Sequence, residues 1–451
     1  MRPVLTQKVD AEYLKALRFF KAEFAELKLN LTGHTNRKMI ESVQLERLKK
    51  LLCQAEQFSP FYYERFKKAG FRPTQLQSLA DLQALPLLSK KECIQNHAEL
   101  FSVKARPDDY IYSATSGSTG EPVKVVLDYF SLYYYYIAAR INQVQAGLKL
   151  HWIPFKTQHM YLSALPGVPT YSALMPYFNF SRMYKCVNDP ALWPDPFELI
   201  KFISSRQPQT LASDPVALKS LMKLSQAHDA ARRYAIRPKW IQSTSTRLEP
   251  QDRAELQAFF GCPITDWYSL AETGPIASEC NVHEGYHLEE FLTVVEIVDE
   301  QGRTLAPGAV GEIVITNLRN HVFPLIRYRS GDLGAWETEP CRCGSKLKRL
   351  IRLAGRIHQC FIDQHGQRQE PYVIYNLIRG FNLIEQFQVV QDQPRHITFK
   401  YDAPRSLSEA EQNAVTVLIK DTLGATFTID YMRLRPVYSP GQKPQPYLCL
   451  L

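Results

Sequence analysis

The 451-residue sequence contains no long hydrophobic run. Leu132–Ala139, the apolar stretch that contains the tyrosine cluster, ends at Arg140. It is far short of the roughly twenty apolar residues that a bilayer-spanning helix needs. Met1–Asp10 has no apolar core of the kind a secretory leader carries. A soluble, cytoplasmic protein with no membrane partner is expected. The chain also has no block of five or six like charges, although its net charge is +9. That argues against a nucleic-acid-binding tail. Its nine cysteines are mostly scattered, which argues for reduced thiols and against a disulfide framework. Only Cys341 and Cys343 stand close together. There is no internal repeat, and no low-complexity segment beyond Tyr133–Tyr136.

The composition is that of an ordinary globular protein, 45% hydrophobic and 22% charged, with length for two or three domains. The modest basic excess suits an anionic partner such as a nucleotide, coenzyme A or an acidic carrier protein, and equally a solvated basic surface. The first hundred residues read as helical, with apolar residues at helical spacing in Ala11–Leu27 and a second helix over about Glu41–Gln57, stopped at Ser59-Pro60. From about Ile111 short apolar strands alternate with helices, as in an α/β sheet. Arg253–Phe260 reads as a helix ended by Gly261, and Pro263–Tyr268 as a strand emptying into a loop. Leu292–Val298 and Glu312–Leu318 read as strands of a β subdomain. The composition shifts after Gly355-Arg356. Beyond it, strand-like Phe387–Gln391 and His396–Tyr401 accompany a helix at Glu409–Leu423, which reads as a small α+β domain. The expected division is residues 1–356 and 357–451.

The stretch with the most chemistry is Thr115-Ser116-Gly117-Ser118-Thr119-Gly120, followed by Glu121-Pro122 and an apolar strand-like run, Val123–Leu127. Its two glycines let backbone N–H groups approach an anion closely, and its hydroxyls add donors. It is not a Walker A loop: Gly117 and Gly120 are three apart and no lysine follows directly. By itself it reads equally well as a phosphate cradle or as a Ser/Gly-rich surface turn. Three later segments suit a nucleotide too. Tyr268-Ser269-Leu270-Ala271-Glu272 offers a ring for a base and a carboxylate for Mg²⁺. Tyr328-Arg329-Ser330-Gly331-Asp332 places Asp332 in a glycine turn, suited to ribose hydroxyls. Leu353-Ala354-Gly355-Arg356 supplies a guanidinium at the domain junction.

In this order the segments resemble the adenylate-forming superfamily of acyl-CoA ligases, NRPS adenylation domains and luciferases, and most closely its phenylacetate-CoA ligase branch. The resemblance begins at Phe58-Ser59-Pro60-Phe61-Tyr62, passes through Ala69-Gly70 and Asp81-Leu82 to Leu85-Pro86, and extends over nearly the whole chain. It implies a large N-terminal domain of α/β sheets plus a β subdomain, with a small mobile α+β C-terminal domain. It implies that Thr115–Gly120 grips the β- and γ-phosphates of ATP, that Tyr268 lies by adenine, that Glu272 binds Mg²⁺, that Asp332 binds the ribose and that Arg356 contacts the nucleotide. Lys443, in Ser439-Pro440-Gly441-Gln442-Lys443, resembles the lysine that meets the carboxylate and α-phosphate. The implied reaction has two halves. A carboxylate attacks the α-phosphorus of ATP and releases pyrophosphate. A thiol, of coenzyme A or of a carrier-protein phosphopantetheine, then displaces AMP.

Some positions depart from the family pattern. Ser269 stands for glycine and Ala271 for a hydroxyl residue, which Thr273 is placed to replace. His358 and Gln359 stand for the hinge aspartates, and Pro444 follows Lys443. These departures motivate a second reading, a catalytically weakened nucleotide-binding homologue. Transfer to a carrier protein or an amine is a further alternative, and a homodimer is allowed for. The branch also has segments similar to Cys280…His287 and Cys341-Arg342-Cys343-Gly344, where some members bind structural zinc. Cys280, His287, Cys341 and Cys343 would then form a closed Cys₃His site, with His283 the alternative histidine. The acid is expected to be aromatic, with one or two rings of Tyr133–Tyr136 facing its pocket; a fatty acid or an amino acid is the alternative. A zinc-based nucleic-acid binder is the most distant reading, since no basic, aromatic-studded face is evident.

Overall fold

The computed structural model describes the chain except residues 1–19, 107–109, 115–123, 149–157, 164–170, 176–180, 188–191, 228–233, 357–359, 370–382, 385 and 439–446. Thr115–Gly120, His358, Gln359 and Lys443 thus lie outside the described residues. The chain divides into two compact units. The first holds residues 1–309, 314–330 and 335–351; the second holds 310–313, 331–334 and 352–451.

The first unit begins with helices. The helix expected from Glu41 runs over Arg37–Phe58, because Asn36 caps it earlier, its side chain accepting from the Met39 N–H at 3.1 Å. Pro60, expected only as a stop, also opens the next helix, Pro60–Ala69, where its missing N–H costs nothing. Leu48, Leu51, Leu52, Tyr62 and Phe66 of these helices pack with Val125, Phe323 and Leu325 in one core cluster.

The strands, in chain order, are β1 (Tyr110–Ala114), β2 (Lys124–Asp128), β3 (Gln158–Ser163), β4 (Tyr171–Met175), β5 (Ser181–Val187), β6 (Thr210–Ser213), β7 (Trp240–Ser243), β8 (Ile264–Leu270), β9 (Gly274–Glu279), β10 (Tyr286–Leu288), β11 (Thr293–Val298), β12 (Gly311–Asn317), β13 (Tyr328–Glu337) and β14 (Arg349–Arg356). β1 and β2 form an antiparallel pair. The other twelve form one sheet in the order β11-β12-β13-β14-β10-β9-β8-β7-β6-β3-β5-β4. β5, β3, β6, β7 and β8 run parallel, and the helices Pro196–Arg206, Pro215–Ala227 and Pro250–Phe260 lie in the connections from β5 to β6, β6 to β7 and β7 to β8. The helix Pro250–Phe260, with Pro250 in its first turn and Gly261 at φ 67° closing it, packs Leu256 and Phe260 into the core formed with Leu211, Ile241 and Ile264. β8 leaves the parallel half, turns at residues 271–273 and returns as β9. The carboxyl ends of such strands are where α/β sheets place their ligands.

In the second unit, β15 (Phe361–Ile362) pairs with β16 (Arg368–Gln369), and β17 (Gln386–Gln393), β18 (His396–Asp402), β19 (Thr428–Arg433) and β20 (Tyr447–Cys449) form a sheet in the order β19-β18-β17-β20. The helix Glu409–Leu423, begun by a Ser408/Glu411 capping box, buries Val415, Ile419 and Leu423 against Val389, Ile397 and Phe399. Its ends are those read from the sequence.

Candidate functional site

β8 carries the first group of interest. Residues alternate across a strand, so Asp266 and Tyr268 share a face. Tyr268 is half-buried. The pairing with β9 shifts by a bulge between Tyr268 and Ser269, and the chain then turns so that Glu272 stands beside the start of β13, its Oε1 3.4 Å from the Tyr328 hydroxyl. Thr273, the candidate replacement hydroxyl, is buried, and its Oγ1 has no partner among the described residues. Asn317 donates to the Thr273 carbonyl at 2.6 Å and fixes the end of the turn. Tyr328 follows Arg327, a buried residue at φ 51°, whose guanidinium holds Glu296 through two bonds of 3.0 and 2.9 Å and also donates to the Leu85 and Gly302 carbonyls. Nothing local in the sequence singles out Arg327 or Tyr328 as the support of this turn.

Asp332 is half-buried on β13, and Arg356 ends β14; both belong to the second unit, whereas Tyr268 and Glu272 belong to the first. The phosphate-loop candidates and Lys443 lie outside the described residues.

A second group is fully assembled within the first unit. Cys280 follows β9, His287 lies on β10, and Cys341 and Cys343 lie between β13 and β14. Their ligand atoms all lie within 4.8 Å of one another. Antiparallel pairing sets His287 opposite Ser278 on β9 and Arg349 on β14. Gly285 has φ 90°, and a Cβ there would come within 2.6 Å of the Leu350 carbonyl oxygen, so only glycine lets the chain enter β10 at this approach. The Cys341 carbonyl accepts from the Gly344 N–H at 3.1 Å, which curls the Cys-x-Cys segment. His283 is turned to other partners: its Nδ1 lies 3.1 Å from Arg253 and 3.4 Å from Glu279. Of the two histidines, His287 is therefore the one in the cluster. Burial, then Arg349, lowers its pKa to about 4, so the ring is neutral and able to ligate. Burial pushes the Cys280 thiol up to about 12, so with no cation present it stays protonated.

Two of the spacings within the cluster suit zinc. A tetrahedron with Zn–S of about 2.3 Å and Zn–N of about 2.0 Å has S–S edges near 3.8 Å and S–N edges near 3.5 Å. The Cys280 and Cys341 sulfurs are 3.8 Å apart, and Cys343 Sγ is 3.4 Å from His287 Nε2.

A family profile described as AMP-binding enzyme matches residues 67–323, more than half of the chain. The chain belongs to the AMP-binding enzyme family. Curated relatives place this AMP-binding enzyme in the phenylacetate-CoA ligase-like branch. The phenylacetate-coenzyme A ligase of Thermus thermophilus is 25% identical over 337 residues, 72% of each chain. That of Aromatoleum evansii is 26% identical over 377 residues, 79% of this chain and 80% of its own. Among solved structures, 2-hydroxyisobutyryl-CoA ligase in its postadenylation state superposes with a TM-score of 0.72 at 18% identity, covering 90% of this chain and 88% of that one. At that identity the likeness establishes the fold, which is the adenylate-forming architecture expected from the motifs. Among the described residues, no helix is long and apolar enough to cross a membrane.

Proposed function

We propose that the protein is an AMP-forming acid–thiol ligase: it activates a carboxylic acid with ATP to an acyl-adenylate and passes the acyl group to coenzyme A. The observation that carries this reading is the AMP-binding match over residues 67–323, joined to relatives named phenylacetate-coenzyme A ligase. The β8–β9 turn supports it, because it offers the Glu272 carboxylate, a hard oxygen donor suited to Mg²⁺, beside Tyr328. In this reading Thr115, Ser116, Gly117, Ser118, Thr119 and Gly120 hold the departing pyrophosphate. Tyr268 lies by the base, Asp332 accepts from the ribose hydroxyls and Arg356 contacts the nucleotide. Negative charge builds on the phosphate oxygens as the carboxylate attacks; Lys443 stabilises it, and Glu272 would hold Mg²⁺, which would supply further charge stabilisation there. Residues 357–451 act as the mobile lid and residues 1–356 bind ATP and acid. Zinc on Cys280, His287, Cys341 and Cys343 is structural in this reading: four protein ligands leave no open position for substrate. An aromatic acid is the leading substrate.

A screen of pyrophosphate release across a panel of acids tests the reading. Release that depends on the acid and falls at least about 100-fold in Glu272→Gln and Lys443→Ala supports it, since each change removes charge stabilisation in the transition state. A folded, ATP-binding wild type that releases no pyrophosphate with any acid points to the weakened homologue instead. Product mass after adding coenzyme A, a carrier protein or an amine identifies the acceptor.

A further inference from the structure

The buried network between the Cys/His cluster and β8 has an organisation that the ligase chemistry alone does not call for. Tyr286, the residue before His287, sends its hydroxyl across the sheet to Asp266 Oδ2 at 2.8 Å. The same carboxylate oxygen accepts the Leu248 backbone N–H at 3.2 Å. Leu248 lies in the segment that leaves the carboxyl end of β7, where Ser243 stands in register with Asp266. In that segment Ser245 has φ 72°, a left-handed conformation that a non-glycine residue keeps only where its surroundings hold it. From the other side, Glu279 accepts the Asp266 N–H at 2.7 Å through Oε2 and pairs with Arg253 at 2.7 Å through Oε1; Cys280 follows directly. Asp266, Tyr286 and Glu279 are all buried. Asp266 is thus tied at its backbone and its side chain by the two residues that immediately precede cluster members, and it shares its strand face with Tyr268.

We infer that Tyr286 is a positioning residue for ATP: through Asp266 and the Leu248 N–H it fixes the β7 exit segment and the end of β8 that carries Tyr268, and it links that geometry to the Cys/His cluster. The inference rests on the nucleotide site proposed above. Tyr286 touches no substrate in this account. Its effect is on how well the nucleotide-side segments are preformed, so it falls on ATP binding before it falls on the chemical step.

The test is Tyr286→Phe, which removes one oxygen and keeps the ring. The expected result is a KM for ATP raised about 10- to 150-fold, the range of losing one buried hydrogen bond to a charged group. The kcat should stay within about threefold, the KM for the acid should not change, and zinc content should match wild type. In an Asp266→Ala background the same substitution should change the KM for ATP by less than twofold, because its partner is gone. An unchanged KM for ATP in folded Y286F, or a lowered melting temperature with unchanged kinetics, overturns the inference and leaves Tyr286 a core residue. If Y286F does not fold, hydrogen exchange on the wild-type enzyme decides: saturating ATP should slow exchange of the Leu248 amide, and no change there overturns the inference. A wild type that neither binds ATP nor releases pyrophosphate overturns the functional reading and this inference together, whereas an active wild type with an unaltered Y286F overturns only the latter.

Discussion

Tyr62 has no exposed surface, and its hydroxyl serves two backbone groups at once. It donates to the Pro324 carbonyl at 2.9 Å and accepts from the Ile326 N–H at 3.0 Å. This clamp leads directly to Arg327 and Tyr328, and so to the support of Glu272. Tyr62→Phe leaves a donor and an acceptor stranded in an apolar core, for an expected loss of about 2–4 kcal/mol. Urea unfolding should show a lower midpoint with the same slope; an unchanged midpoint would show that the clamp adds nothing. Buried histidines give the first unit a pH signature. Burial, then Arg140, lowers the His159 pKa from 6.5 to about 3, and burial, then Lys50 and Arg319, lowers that of His321 to about 4. The folded state therefore binds fewer protons than the unfolded chain. Stability is full above pH 6.5 and falls as the pH drops towards these lowered values, by about 1.4 kcal/mol per pH unit for each group. In unfolding titrations at pH 7 and pH 5, His159→Gln should shallow this dependence; equal slopes in wild type and variant would rule it out.

At the scale of elements, the β17–β19 ladder carries a device of the opposite sign. His396 Nδ1 is 2.8 Å from Asp392, and Nε2 is 3.3 Å from Asp430 on the neighbouring strand. The Asp392 hydrogen bond, more than the Asp430 one, raises the His396 pKa above 6.5. Its contribution is full below pH 6.5 and is lost as the pH rises through the raised value. His396→Gln should therefore lower the melting temperature at pH 5.5 more than at pH 8.5, an ordering that scanning calorimetry reads directly. Elements were also the scale at which the sequence was most legible. Periodicity and a capping box give Glu409–Leu423 its ends, and Gly261 ends its helix, because these signals are local. Asn36 and Pro250 extended two helices beyond the apolar pattern, since capping is decided by single polar or cyclic residues outside that pattern. The Cys-x-Cys pair was visible from spacing, and the glycines of residues 115–120 drew attention to that loop. The Tyr286–Asp266 bond and the Arg327–Glu296 pair were not legible: each joins residues 20 or more apart in the chain, and no local rule encodes such a contact.

For the whole molecule, the Cys/His cluster is the long-range tie whose loss is simplest to impose. With a metal bound it would join residues 280–287 to residues 341–343 and close a loop of about sixty residues across four strands, and cross-links of that span act chiefly on the unfolded ensemble. With no cation present, burial pushes the Cys280 thiol up to about 12 and raises that of Cys343, a cost to thiolate formation that a bound metal would offset. Purified protein should therefore carry about one zinc per chain by elemental analysis. Removal with a chelator should lower the melting temperature by at least about 5 °C, and added Zn²⁺ should restore it. Cys343→Ser should reduce both zinc content and melting temperature. His283→Gln should leave zinc content unchanged, because that ring pairs with Arg253 and Glu279. Protein that contains no zinc and melts identically with and without chelator would reduce the cluster to four reduced side chains packed together. Zinc bound equally well by Cys343→Ser would place the ion elsewhere. Retained pyrophosphate release at saturating ATP, with Mg²⁺ resupplied to zinc-depleted, still folded protein, is the expected companion result, since a closed four-ligand site offers the substrates no coordination position.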